Sequence, residues 1–253
     1  VETVFTSLPV EERLKKISQV GYTAVEFWHN ECTWNGACLT GPPKDADKLN
    51  GILDKYRLTV TDMVLNAWDS SLGGSLVDSQ DREMYLENLG EAIKFAKRIG
   101  CSKLITCTGK ELAGKTHKKQ RDSIMTTLSE AAKIVERDGF TLLLEPLNTY
   151  VDHPGYFLNS ATEGANIIRE INHPNVRLLY DIYHMQIMQG NIIATIEKNI
   201  DIIGHFHAAG TPGRHELYLG ELNYRSIIKR IDKLAYEGYI GLEYFPSVNS
   251  EES

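Results

Sequence analysis

Four short apolar runs in the second half of the chain end in a side chain that can hold a metal ion or carry a proton. They are Leu142-Leu-Leu-Glu145, Leu178-Leu-Tyr-Asp181, Gly204-His-Phe-His207 and Gly241-Leu-Glu243. If these runs are neighbouring parallel strands of a barrel, their carboxyl ends open on one mouth, and Glu145, Asp181, His207 and Glu243 share a space. Three carboxylates gathered in a partly dry pocket repel one another, which raises their pKa values unless a cation lies between them. Carboxylates with one imidazole make a donor set for a first-row divalent ion. Its oxygen-rich character favours manganese or magnesium (Mn2+ or Mg2+) and admits Co2+. A single strand-end acid reads as a helix cap or half of a salt bridge. Four on successive strands read better as one site.

The surrounding elements must supply that placement. Apolar and β-branched runs recur at residues 1–6, 23–28, 58–65, 103–108, 140–145, 176–181, 202–207 and 239–244. Between them, helical periodicity marks residues 11–20, 81–99, 123–137, 161–171, 194–199 and 224–236. Gly21, Gly100, Gly139 and Gly238 stand where a left-handed cap would end a helix, and the next strand follows within a few residues. This rhythm predicts the α/β class and a single (β/α)8 barrel over residues 1–253, its first strand cut short at the start of the chain. An open doubly wound sheet is the competing arrangement, because strand order cannot be read from a sequence. The longest irregular stretches, 30–43 and 68–79, follow the second and third strands and would roof the mouth of a barrel.

Whole-chain numbers narrow the partners. The 253 residues carry 27 Lys and Arg against 34 Asp and Glu, a net charge of −7, with 42% hydrophobic and 24% charged residues. That is an ordinary globular composition, long enough to bury a large core. No apolar run approaches the roughly eighteen residues of a membrane span. The acidic balance speaks against a nucleic-acid surface and for a small-molecule substrate or bound cations, and it is compatible with a homo-oligomer. Cys32, Cys38, Cys101 and Cys107 form no CxxC pair and read as free thiols in a reducing compartment. The chain opens at Val1 with neither an initiator Met nor a signal-like segment, so a cytoplasmic protein whose first residues are missing is expected.

Several motifs then bring the chain close to a known family. Glu145-Pro-Leu-Asn148, Pro154-Gly-Tyr-Phe157, Tyr180-Asp-Ile-Tyr-His-Met-Gln186 with Gly190-Asn191, and Pro212-Gly-Arg-His-Glu216 with Gly220-Glu221 closely resemble the hydroxypyruvate isomerase family. That family belongs to the xylose isomerase-like TIM barrels, whose other members include ketose 3-epimerases and endonuclease IV. The resemblance runs from Phe5-Thr6 and Ala24-Val-Glu-Phe27 to Glu243-Tyr244 and is densest after Leu144. It implies a metal held by Glu145, Asp181, His207 and Glu243, with Glu145 and Glu243 also acting as the acid/base pair. It further implies that His184 contacts substrate oxygens and that Arg214 faces the substrate, where a guanidinium can grip a carboxylate with two parallel hydrogen bonds. One departure leans towards the epimerases: the hydroxypyruvate isomerases carry Gln where this chain has His207. His205 is assigned to the opposite face of its strand and to a structural role.

The function expected from these readings is metal-dependent isomerisation of a small 2-hydroxycarbonyl compound through an enediolate, with hydroxypyruvate to tartronate semialdehyde the first candidate. A ketose 3-epimerase is the alternative and a metal-dependent DNA endonuclease a remote one, disfavoured by the charge and by a single well-placed histidine. A catalytically silent sugar-binding barrel is disfavoured because all four strand-end groups are present. Val151, six residues after Glu145, stands where the epimerases carry a second glutamate that grips the sugar, so a keto acid is expected over a hexulose. Gly109-Lys-Glu-Leu-Ala-Gly114-Lys115-Thr116 fits the P-loop pattern but is set aside, because apolar periodicity resumes only near Ile124. Gly73-Gly74 reads as a flexible loop, and Met185 with Met188 as packing.

Overall fold

The computed structural model describes residues 2–29 and 43–253. Cys32, Cys38 and the expected roof at 30–42 lie outside the described residues. Seven parallel strands, β1 (Ala24–Phe27), β2 (Thr59–Val64), β3 (Lys103–Thr106), β4 (Thr141–Leu144), β5 (Val176–Asp181), β6 (Ile203–Ala208) and β7 (Ile240–Leu242), pair in sequential order. Among the described residues eight helices accompany them: α1 (Val10–Gln19), α2 (Ala46–Tyr56), α3 (Arg82–Arg98), α4 (His117–Asp138), α5 (Ala161–Ile171), α6 (Ile182–Met188), α7 (Ile192–Asn199) and α8 (Tyr224–Lys233). Sequential order without a reversal is the winding of a βα barrel and removes the doubly wound alternative.

The expected first strand is not formed among the described residues. Phe5 adopts φ 52, and Leu8 N donates to Phe5 O at 2.9 Å, closing a turn where extended backbone was expected. Arg13 secures that turn by donating from Nη2 to Thr6 O at 2.6 Å and from Nε to Leu8 O at 2.9 Å. Among the described residues the sheet therefore has edges at β1 and β7, and a groove of 370 Å³ between them is lined by Val4, Phe5, Ala24, Ile240 and Leu242.

Other elements differ locally. Gly238 does not cap α8, because Ala235 with φ 54 takes the left-handed position three residues earlier. Helix α4 begins at His117, ahead of its apolar periodicity, because Thr116 accepts from Lys119 N and the first turn lies exposed. Lys115, which a P-loop would aim at a phosphate, pairs instead with Asp78 Oδ1 at 2.9 Å. Met185 is fully buried in the core, and Cys101 and Cys107 are buried free thiols. No helix among the described residues is long and apolar enough to cross a membrane.

The period of two along each strand decides what reaches the barrel interior. Leu142, Leu144, Leu178 and Tyr180 belong to the main apolar core, whereas Leu143, Leu179 and Ile105 form a separate small cluster, with Val64 against it. Two residues beyond Leu143 and Leu179 come Glu145 and Asp181, on the same inward face and at the strand ends. His207 pairs in register with Asp181 on one side and Gly241 on the other, so Glu243 falls one step beyond on the same face.

Candidate functional site

Each strand-end group is held by its own local structure. Asp181 caps α6: its Oδ1 accepts from Tyr183 N at 2.7 Å and His184 N at 3.1 Å, which leaves Oδ2 for the barrel mouth. Glu145 follows β4, and its carbonyl accepts from the Tyr156 hydroxyl at 2.8 Å. The Glu243 carboxylate is bonded at both of its oxygens. Arg214 Nη2 donates to its Oε2 at 2.6 Å and Trp28 Nε1 to its Oε1 at 3.0 Å.

The four groups meet. Glu145, Asp181, His207 and Glu243 are all buried, and a ligand atom from each lies within 4.8 Å of the others. His207 Nδ1 stands 3.2 Å from Glu243 Oε2 and 3.6 Å from Glu145 Oε1. Glu145 Oε1 and His207 Nδ1 are buried without a hydrogen-bond partner, an arrangement costly to leave unmade and suited to a cation.

Repulsion does not act evenly across this cluster. Burial pushes Asp181 up to about 7, against the pull of Arg214 and His207. Burial likewise raises Glu145. Glu243 goes the other way: burial opposes its ionisation, but Arg214 first, then His207 and Trp28, hold it well below the usual carboxylate range. Burial works against the His207 cation, yet Glu26, Glu145 and Glu243 together raise it well above an ordinary histidine.

Arg214 and His184 reach the same mouth. The Arg214 guanidinium lies 5.2 Å from the Tyr183 ring and 5.9 Å from the Phe245 ring, with Nε on Glu243 O at 3.1 Å and Nη2 3.8 Å from Asp181 Oδ2. Those contacts leave Nη1 uncommitted. Arg214 also takes φ 56, a left-handed strain of about 1–3 kcal/mol of the sort that concentrates at functional sites. His184 stands on α6, not in a loop, because the Asp181 cap starts the helix immediately after β5. Its Nδ1 accepts from Asn148 N at 3.3 Å and lies 2.7 Å from Asn148 Nδ2. Asn148 Oδ1 accepts from Val151 N and Asp152 N, both at 3.0 Å, which fixes that amide. His184 Nε2 therefore carries the proton, and it is buried without a hydrogen-bond partner, 3.5 Å from Asp181 Oδ2.

Two expectations require correction. Val151 is 64% exposed and does not face the mouth. The next residue turns inward instead: the Asp152 carboxylate accepts from Asn148 Nδ2 at 2.6 Å and helps raise the Tyr183 phenol, after burial. His205 is not on the opposite face from His207, since residues two apart on a strand share a face. The two rings pack edge to face at 5.3 Å inside the barrel. There His205 joins Glu26, Asp62 and His207 in a second buried group whose donor atoms lie within 4.8 Å of one another.

Sequence reading also passed over Trp28, although it ends an apolar run just as the acids do. His153 was missed as well, and its ring stands between Trp68 at 4.7 Å and His184 at 5.2 Å. That contact brings the start of the 68–79 stretch to the mouth, as expected of a roof.

Residues 14–253 match the family described as xylose isomerase-like TIM barrel. The chain belongs to that family. Over 241 residues this xylose isomerase-like barrel is 29% identical to the hydroxypyruvate isomerase of Escherichia coli, which spans 94% of this chain and 89% of that protein. Over 158 residues it is 37% identical to the 2-oxo-tetronate isomerase of Cupriavidus necator, spanning 62% of this chain and 60% of that protein. A solved structure from Brucella melitensis, described as an AP endonuclease of family 2, superposes with a TM-score of 0.88 at 29% identity, covering 99% of this chain and 93% of the other. The resemblance to the hydroxypyruvate isomerases seen in the motifs holds along nearly the whole barrel. The xylose isomerase-like chain is an enzyme of the isomerase and epimerase kind.

Proposed function

We propose that the chain is a divalent-metal-dependent isomerase of a small 2-hydroxycarbonyl acid, converting hydroxypyruvate to tartronate semialdehyde. The observation that carries this reading is the buried group Glu145, Asp181, His207 and Glu243 with the Arg214 guanidinium beside it. The unpartnered Glu145 Oε1 and His207 Nδ1 fit an ion between the four. Such an ion, Mn2+ or Mg2+ by its oxygen-rich donors with Co2+ admitted, supplies Lewis-acid polarisation of the two substrate oxygens.

The chain's own residues do the rest. The Glu145–Glu243 pair removes a proton from C3 of hydroxypyruvate and returns one to C2, while the hydroxyl proton passes from O3 to O2. The substrate thus crosses an enediolate without net gain or loss of atoms. His184, with its proton fixed on Nε2, donates a hydrogen bond to a substrate oxygen, and Arg214 holds the carboxylate with its Nη1 edge. Burial of the group keeps bulk water from competing.

Two features support C3 epimerisation of a ketose as a second reading: His207 in place of Gln, and the Asp152 carboxylate turned inward. A nuclease has less support, because the net charge is −7 and the group holds one histidine.

Metal analysis tests the site. After dialysis against a chelator and reloading, the unaltered protein is expected to retain stoichiometric Mn2+, and Asp181→Ala and His207→Ala to lose it. Undiminished metal in both variants removes these residues from the site.

A further inference from the structure

The second buried group contains charge that the proposed chemistry does not use. Glu26 on β1, Asp62 on β2 and His205 on β6 lie inside the barrel at 6%, 0% and 0% exposure. His205 Nε2 stands 2.8 Å from Glu26 Oε1 and 3.1 Å from Asp62 Oδ2. Thr61 Oγ1 also donates to Glu26 Oε1, at 3.2 Å. Glu26 Oε2 is left facing His207 Nε2 at 3.2 Å, and neither atom has a hydrogen-bond partner. The carboxylate fits there because residue 241 is Gly: a Cβ at that position would collide with both Glu26 oxygens.

His207 therefore belongs to two candidate metal groups, one at each ring nitrogen. A neutral imidazole has one N–H and one lone pair, so it can be a ligand to only one of them. In the inner group, His205 Nε2 is hydrogen-bonded to Glu26 Oε1 and so offers no lone pair there, although both Asp62 oxygens are without a hydrogen-bond partner. In the outer group, neither Glu145 Oε1 nor His207 Nδ1 has a hydrogen-bond partner. We infer that Glu26 is a positioning residue: its carboxylate holds the His207 proton on Nε2, so that the Nδ1 lone pair is presented to Glu145 and Glu243, and the barrel binds one ion rather than two. The inference rests on the proposed metal site and adds the part of the barrel interior that orients it. A carboxylate behind a ligating histidine fixes both its tautomer and its ring orientation, and loss of such a partner typically weakens metal binding about 10- to 100-fold.

The test is titration of chelator-stripped protein with Mn2+, together with nitrogen-15 spectra of its histidines. The unaltered chain is expected to bind one Mn2+ and, in metal-free protein at a pH where the His207 ring is neutral, to show that ring protonated at Nε2. Glu26→Gln is expected to bind about 10- to 100-fold more weakly and to show a mixture of the two His207 tautomers. Thr61→Val, which removes the hydroxyl anchoring the same carboxylate, is expected to shift both readouts in the same direction and carries the test if Glu26→Gln does not fold. Two ions per unaltered chain overturn the inference, and so do the original affinity and tautomer in a folded variant. An unaltered chain that takes up no Mn2+ overturns the proposed function along with it, whereas one ion bound with unchanged affinity in Glu26→Gln overturns this inference alone.

Discussion

Glu145→Gln and Glu243→Gln are each expected to stop the exchange of substrate hydrogen with solvent deuterium, lowering the rate on the order of a hundredfold or more. Gln keeps the shape of Glu and one oxygen that can face a metal ion, but it cannot gain and lose a proton within a cycle. The two carboxyls sit in opposed settings: burial raises Glu145, while Arg214, His207 and Trp28 hold Glu243 ionised despite its own burial. Environments that push two neighbouring carboxyls apart are how one site keeps an acid and a base at the same pH. Glu243→Gln also weakens the hold on Arg214, so its effect on KM is expected to exceed that of Glu145→Gln. Measuring Mn2+ content alongside separates lost proton transfer from lost metal. Deuterium incorporation by either metal-loaded variant at close to the original rate removes that residue from the mechanism.

The barrel and its polar mouth were legible because both follow from short-range regularities. The strand expected over residues 176–181 is β5 with the same bounds, and the helix expected over residues 161–171 is α5. An acid or histidine ending an apolar run marks a strand end facing a polar space, and Glu145, Asp181, His207 and Glu243 converge as that pattern requires. What failed was either conformational or a matter of counting. The strand expected at residues 1–6 rests on β-branched composition, which also suits a turn packed on the core, and Phe5 takes that course. His205 shares the inward face with His207 because alternation changes the face between neighbouring residues and not between residues two apart.

The loop after β4 shows a different limit. Counting six residues from Glu145 gives Val151, but Asn148 accepts from two consecutive backbone N–H groups there and turns the chain so that Asp152 points in and Val151 out. Spacing inside a strand fixes a face. Spacing across a loop fixes nothing until the turn is known.

Arg214→Ala is expected to damage turnover of hydroxypyruvate, or of another short 2-oxo acid, far more than any C3 epimerisation of fructose or tagatose. With Val151 outside the mouth and Asp152 inside, a sugar hydroxyl would find an acceptor, so the case for an acid substrate rests on Arg214 itself. Its guanidinium is fully charged, held between Tyr183 and Phe245, and tied to Glu243 through Nε and Nη2, which leaves one edge for a ligand. A neutral ketose offers that edge no charge. Hydrogen bonds from a charged donor contribute about 1.5–3 kcal/mol, so losing them should lower kcat/KM for the acid roughly tenfold to a hundredfold. Because Arg214 also steadies Glu243, some loss is expected for every substrate, and the ratio between acid and hexulose is the informative quantity. Arg214→Lys keeps the charge without the planar fork and should fall between. Asp152→Ala supplies the opposite probe, since it should spare the acid and harm a sugar. Side-by-side assays with Mn2+ decide the matter: epimerisation of a free hexulose that is faster than hydroxypyruvate turnover, unaffected by Arg214→Ala and lost in Asp152→Ala, would assign the barrel to ketoses.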